Sequence, residues 1–173
     1  MKKFIIATIS IIVGFILIYS LVWYETYQNS LNFYEQGTEN FEAGDYGLAL
    51  KGGEEYDQEL GSYVYTGGYE QVLAAWSNKW AVPKPSLYQK AEEKINEIIY
   101  EKLTADEGFF IFQEHFRSSN RHLPEILIQS GKLYSENGEY SKAEEIFELA
   151  INAFGRNEAI KKAAEEQLEL LNK

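Results

Sequence analysis

Residues 4–24 are apolar at nearly every position and carry no charge, whereas the chain beyond them mixes apolar and charged positions at helical spacing. At about 1.5 Å of rise per residue the run reaches about 31 Å as a helix, the hydrocarbon thickness of a bilayer. A helix apolar on every side is unsuited to a water-exposed surface, so the pattern predicts a membrane helix. A cleaved secretory signal would need a shorter apolar core and a small-x-small site. Here Leu17, Ile18, Leu21 and Val22 prolong the run, and Trp23-Tyr24-Glu25 closes it without a small pair. The expectation is therefore an uncleaved anchor. Lys2 and Lys3 precede the run and no Lys or Arg follows until Lys51. The positive-inside rule then keeps the N-terminus in the cytoplasm and sends residues 25–173 across the membrane. Tyr19, Trp23 and Tyr24 suit the outer interface, where one end of a ring is wet.

Beyond the anchor the pattern predicts helices throughout, because proline is confined to Pro83, Pro85 and Pro124 and long β-branched alternations are missing. Ser30 is placed as the cap of a helix over 30–43, its hydroxyl accepting from a free N–H of the first turn. Gly44-Asp45 ends that helix, and a short one to about residue 50 meets Gly52-Gly53. Helices over 54–65 and 69–81 follow, split by Gly67-Gly68. Residues 86–103 form a strong amphipathic helix with Leu87, Ala91, Ile95, Ile98 and Ile99 on its buried face. Thr104-Ala105-Asp106-Glu107 fits a capping box that opens 108–118, and Ser118-Ser119-Asn120 breaks the chain after it. The last three helices are 124–137, 140–154 and 157–171. Such short connections pack neighbouring helices antiparallel. The fold class is all-α: a transmembrane helix within 1–24, then a stack of antiparallel helical hairpins over 25–173.

Leu127, Gly131, Tyr134, Gly138, Tyr140, Ala143, Phe147 and Ala150 resemble the tetratricopeptide repeat, whose pattern places large, small, aromatic, glycine, aromatic, alanine, aromatic and alanine at these spacings. Gly131 and Ala143 are expected where two helices cross, Tyr134 and Phe147 between hairpins, and Gly138 at the turn. Ser130 departs from the usual large apolar residue. The clearest repeat covers 124–155, and 157–171, with Lys161, Lys162, Glu165 and Glu166 exposed, resembles the polar cap of such an array. A degraded copy follows the anchor: Phe33, Gly37, Phe41, Gly44, Tyr46 and Ala49. It departs at Gln36 and Asn40, and Gly53 stands where an aromatic is usual. Tyr63, Gly67, Tyr69 and Trp76 give a third glimpse, too soon after the second for a period of about 34 residues. The matches cover less than half of the chain. The resemblance implies a concave surface lined by inner helices, faced by Tyr34, Thr38 and Phe41 in the first copy and by Ile128, Lys132 and Ser135 in the last. The Lys/Asn/Arg set with which some members clamp a terminal carboxylate is not present, which favours an apolar or aromatic ligand.

Charge narrows the partners. The formal charge is −11, and setting aside the +2 of Lys2 and Lys3 leaves −13 on residues 25–173. Such a surface as a whole repels phosphate backbones and anionic lipid headgroups and argues against nucleic acid. About 149 residues form one core. The absence of cysteine excludes disulfides, thiolate metal sites and a lipoprotein anchor. Together with the short basic N-terminus it favours a bacterial inner-membrane protein facing the periplasm.

Chemistry finds little support. His115 and His122 are the only histidines, and no HExxH or similar ligand spacing occurs. Glu92-Glu93, Glu144-Glu145 and Glu165-Glu166 alternate with lysines as solvated faces do, not as a glycosidase pair. The glycine pairs lack a following Lys-Ser or Lys-Thr and read as turns rather than phosphate loops. No enzyme, cofactor or metal is expected. Phe109, Phe112 and Phe116 form a stripe at helical spacing, with Phe110 off it, and read first as core and second as a partner groove. Trp76 and Trp80 carry the same ambiguity, with Lys79 and Lys84 pointing to partial exposure. Ala7, Ser10 and Gly14 line one side of the membrane helix, where small residues allow helices to pack in lipid. The leading expectation is a single-pass scaffold or accessory subunit joining proteins of a membrane or envelope complex. The alternative is a periplasmic chaperone-like holder of exported polypeptides near the translocon.

Overall fold

The computed structural model describes residues 2–117 and 121–171, so the break expected at 118–120 lies outside the described residues. The chain divides into two compact units, Met1–Glu92 and Glu93–Lys173.

The first unit is built on one long helix, α1 (Lys2–Ala43). The helix does not restart at Ser30. With no Gly or Pro between positions 15 and 36, nothing interrupts the ladder, so no N–H is left free there for a cap. Ser30 is instead fully buried, donates its hydroxyl to the Thr26 carbonyl at 2.7 Å and accepts Nε1–H of Trp76 at 2.8 Å. Gly44, at φ +81°, stops α1, and the Asp45 N–H reaches back to the Asn40 carbonyl at 2.9 Å. The Asp45 carboxylate then caps α2 (Tyr46–Lys51) through the Leu48 N–H at 3.2 Å.

Residues expected as a helix over 54–65 form an antiparallel hairpin, β1 (Gly53–Asp57) and β2 (Ser62–Thr66), with Tyr56 opposite Tyr63 and Glu54 opposite Tyr65. The fold is therefore mostly helical rather than all-α. Ser62-Tyr63-Val64-Tyr65-Thr66 is rich in aromatic and β-branched residues, which fit a pleated surface better than a helix. Gly61, at φ +62°, closes the turn. The hairpin base is tied to α1 by the Gly67 N–H, which donates to Gln36 Oε1 at 2.6 Å.

Next, α3 (Tyr69–Ala75) is shorter than the expected 69–81. Trp76, only 1% exposed, is drawn onto Ser30 and meets the Trp23 ring edge-on at 5.4 Å. Residues 77–85 then run beside α1 rather than extending α3, with Pro83 and Pro85 holding their predecessors out of the helical region. The core is Ala49, Leu50, Tyr69, Val72, Leu73 and Trp76.

The division between units falls within α4 (Ser86–Glu97). The expected face is buried at Leu87, Ala91, Ile95, Ile98 and Ile99. The helix ends in a wider π turn, Ile98–Lys102, closed by the Leu103 N–H on the Ile98 carbonyl at 3.0 Å. In the second unit the Thr104/Glu107 capping box forms as expected but opens the helix earlier, as α5 (Ala105–His115). The remaining helices are α6 (Leu123–Glu136), α7 (Tyr140–Phe154) and α8 (Glu158–Leu171), each packed on its predecessor in sequence, with α8 also reaching α6. Asn157 caps α8, its side-chain oxygen accepting the Ala159 N–H at 3.1 Å.

Gly138 ends α6 as Gly44 ends α1: φ is +80°, and the Glu139 N–H bonds the Tyr134 carbonyl at 2.9 Å. A side chain there is strained by the left-handed backbone, although open space surrounds it. Gly138→Ala is therefore expected to cost about 1 kcal/mol, read as a lower denaturation midpoint at unchanged slope.

Candidate functional site

The first half of α1 is bare. From Phe4 to Val22 its large apolar residues are exposed, and the most apolar window of the helix has no buried residue. By length and composition α1 is able to cross a membrane. Its serine and threonine hydroxyls bond back within the helix: Thr8 donates to Phe4 O and Ser10 to Ile6 O, both at 3.0 Å, and Ser20 to Ile16 O at 2.8 Å. Ala7 and Ser10 are exposed and Gly14 half-buried, and a Cβ on Gly14 would meet nothing within 4 Å.

The residues expected to face a partner lie in separate units. In the first, the Tyr34 ring packs on Tyr69 at 5.3 Å, and the Thr38 hydroxyl lies 3.1 Å from the Tyr69 hydroxyl. Phe41 meets Tyr46 edge-on at 5.7 Å. A Cβ on Gly37 would sit 3.2 Å from the Tyr69 ring. Tyr69 thus packs directly on Gly37. In the second unit Ile128 is buried, while Lys132 and Ser135 are half-buried. Gly131 there lies against the ring of Phe147, which would be 2.5 Å from a Cβ. The ring therefore presses on Gly131 itself.

Three exposed tyrosines were not anticipated as a surface. On the hairpin, Tyr56, Tyr63 and Tyr65 alternate onto one face together with Glu54, and all three are more than half exposed. The Tyr56 and Tyr63 rings meet edge-on at 5.3 Å. Tyr65 is held by its hydroxyl, which accepts from Gln71 Nε2 at 2.6 Å. The available signal was the alternation of Tyr63 and Tyr65. Tyrosine suits such a face because it offers a large, stiff contact area with a polar end.

The second unit holds a cleft of about 540 Å³, with Phe109, Ile146 and Leu149 on its apolar wall and Asp106, Tyr134 and Lys142 on its polar one. The Tyr134 hydroxyl donates to Asp106 Oδ1, and Lys142 lies over its ring at 5.0 Å while bonding Glu139 at 2.7 Å. Burial, and then the Asp106 hydrogen bond, push the Tyr134 phenol up to about 12. The hydrogen bond to Glu139 raises Lys142. Because the folded phenol holds its proton more tightly than the unfolded one, its contribution is intact below pH 10 and is lost as pH rises through about 12. Tyr134→Phe should therefore flatten the loss of stability across that window, measured by denaturation at a series of alkaline pH values.

Of the phenylalanine stripe, Phe112 is buried and packs on Phe109, Phe116 and Phe154, so at that position the stripe serves the core, and Phe110 is exposed off it. His115 closes α5 and His122, at φ 56°, precedes α6. Among the described residues no three His, Cys, Asp or Glu gather as metal ligands. Comparison with protein-family models, with curated proteins and with solved structures finds no match for this chain.

Proposed function

We propose that the protein is a single-pass membrane-anchored scaffold or accessory subunit, which holds partner proteins of a membrane or envelope complex at a set height above the bilayer. The observation that carries this reading is the continuity of α1. One unbroken helix is bare and apolar in its first half and built into a folded unit in its second. The flanking lysines orient it with the N-terminus in the cytoplasm, and the absence of cysteine suits a bacterial inner membrane with the folded part in the periplasm. The likeness of the turns at Gly44 and Gly138 supports a tetratricopeptide-like architecture, whose usual work is protein binding. The reading assigns no chemical step, cofactor or nucleic acid.

The partner surface is assigned to the hairpin tyrosines. The hairpin base bonds Gln36, about 18 Å of helix beyond Tyr24, and exposed aromatics on its face favour a protein partner. Ala7, Ser10 and Gly14 are kept as a packing stripe for a partner helix within the bilayer.

The first experiment is carbonate extraction of native membranes, followed by mild-detergent purification through a C-terminal tag with crosslinking and mass spectrometry. Resistance to carbonate and a few proteins at fixed stoichiometry are expected. Release by carbonate sinks the anchor, and a broad spread of exported clients at low occupancy replaces the scaffold by a chaperone-like holder. The double change Tyr56→Ala/Tyr63→Ala should lower partner recovery several-fold while costing at most about 1 kcal/mol of stability, since both rings are exposed. Unchanged recovery moves the partner surface elsewhere.

A further inference from the structure

Residues 77–85 hold an unexplained combination of features. Trp80 and Val82 are 70% and 56% exposed, although both belong to a segment that is firmly tied down. Tyr19 shares its one hydroxyl hydrogen between the Trp80 carbonyl, at 3.0 Å, and the Val82 carbonyl, and accepts the Val82 N–H at 3.1 Å. Trp23 donates Nε1–H to the Pro83 carbonyl at 2.9 Å. Within the segment the Trp80 N–H bonds Asn78 Oδ1 at 2.9 Å, the Ala81 N–H bonds the Asn78 carbonyl and the Val82 N–H also lies 3.0 Å from the Trp80 carbonyl. A loop in bulk water has no need for such closure, whereas one at the edge of a bilayer does.

The level of the segment follows from its tether. Tyr19 and Trp23 both lie inside the apolar run 4–24, and helical side chains lean toward the N-terminus, so the Tyr19 hydroxyl sits deeper than its own Cα. If α1 crosses a bilayer, residues 80–83 cannot stand clear of it. Charge agrees with that level. Lys51, Lys79 and Lys84 are the only Lys or Arg in residues 25–85, and Lys51 is buried against Glu70. The other two flank the exposed apolar pair, at the height where lipid phosphates lie, with Lys79 over the Trp80 ring at 5.4 Å and Lys84 over Tyr88 at 3.9 Å. Aromatic and apolar residues between lysines are the composition of an interfacial contact.

The geometry points to residues 77–85 as a second membrane contact, with Trp80 and Val82 entering the boundary between headgroups and acyl chains on the outer side of α1, and Lys79 and Lys84 against phosphates. This rests on the reading of α1 as a membrane span, and the test separates the two. The chain contains no cysteine, so single changes Trp80→Cys, Leu17→Cys and Tyr63→Cys in the full-length protein each give one site for an environment-sensitive fluorophore. In phosphatidylglycerol/phosphatidylethanolamine vesicles, the label at position 17 should be quenched by lipids carrying a deep nitroxide. The label at 63 should be quenched by aqueous iodide. The label at 80 should be quenched by a shallow acyl nitroxide, with iodide access several-fold below that at 63. If position 17 meets the deep quencher while position 80 behaves like position 63, the span stands and the second contact is overturned. If position 17 also meets only iodide, both fall. Tyr19→Phe, which removes the tether's hydroxyl, should shift the label at 80 toward iodide, and an unmoved label would overturn the tethering.

Discussion

Lys51→Met should destabilise the first unit by about 3–5 kcal/mol, the cost of removing one member of a buried ion pair. Lys51 Nζ lies 2.7 Å from Glu70 Oε1, and the two side chains are 2% and 6% exposed. The carboxylate also sits in the first turn of α3, where the free N–H groups favour negative charge. Removing the ammonium leaves an anion with little access to water. The three tryptophans all belong to the first unit, and Trp76 is its buried reporter, so the loss should be read as an earlier fluorescence transition in detergent. The double change Lys51→Met/Glu70→Met should be far milder than either single one, because an apolar pair of similar volume needs no desolvation of charge. A single change as mild as the double would show that water reaches the pair.

Phe147→Ala is expected to cost about 3–5 kcal/mol, the range for emptying a fully buried aromatic site. The ring is 0% exposed and pressed onto Gly131 of the facing helix, with Ala143 and Ala150 buried a turn away on either side. The backbone at Gly131 cannot collapse into the vacancy without moving α6 as a whole. The converse, Gly131→Val, places atoms where the ring already lies, and its cost should fall sharply when combined with Phe147→Ala. That coupling, measured as a double-mutant cycle by circular dichroism, is the stronger check. Additive losses would mean that the two positions do not share one space.

Where the chain carries its structure in period and caps, the sequence reading is close. Helix α7 runs over the expected 140–154, the Thr104/Glu107 box forms, and the five residues assigned to the buried face of 86–103 are buried. The misreadings have local physical causes. A serine that caps a helix and one that bonds back to the fourth residue before it look alike in sequence, and only the partner, Trp76, distinguishes them at Ser30. At 54–65 the acidic first half carries no apolar period, and the strand signal is confined to 62–66. The packing of Tyr69 on Gly37 is invisible to a local pattern, because the two are far apart in sequence. The candidate surface was still less legible. Three tyrosines share a face only once the register pairs 56 with 63. Lys51, which follows Ala49 and Leu50, looks like any surface lysine until its counter-ion is located.

The unbroken α1 has a bearing on direction as well as on attachment. Each residue of an α-helix turns the chain by about 100°, so a span joined without a hinge to a folded unit fixes its compass heading as well as its elevation. Tyr19, Trp23 and Ser30 set that heading by gripping residues 76–83 at three points along one side of the helix. If α1 is the proposed anchor, a neighbour holding it always finds the tyrosine face on the same bearing. A flexible tether would fix only a distance, whereas an unbroken helix of this kind would also fix an aim.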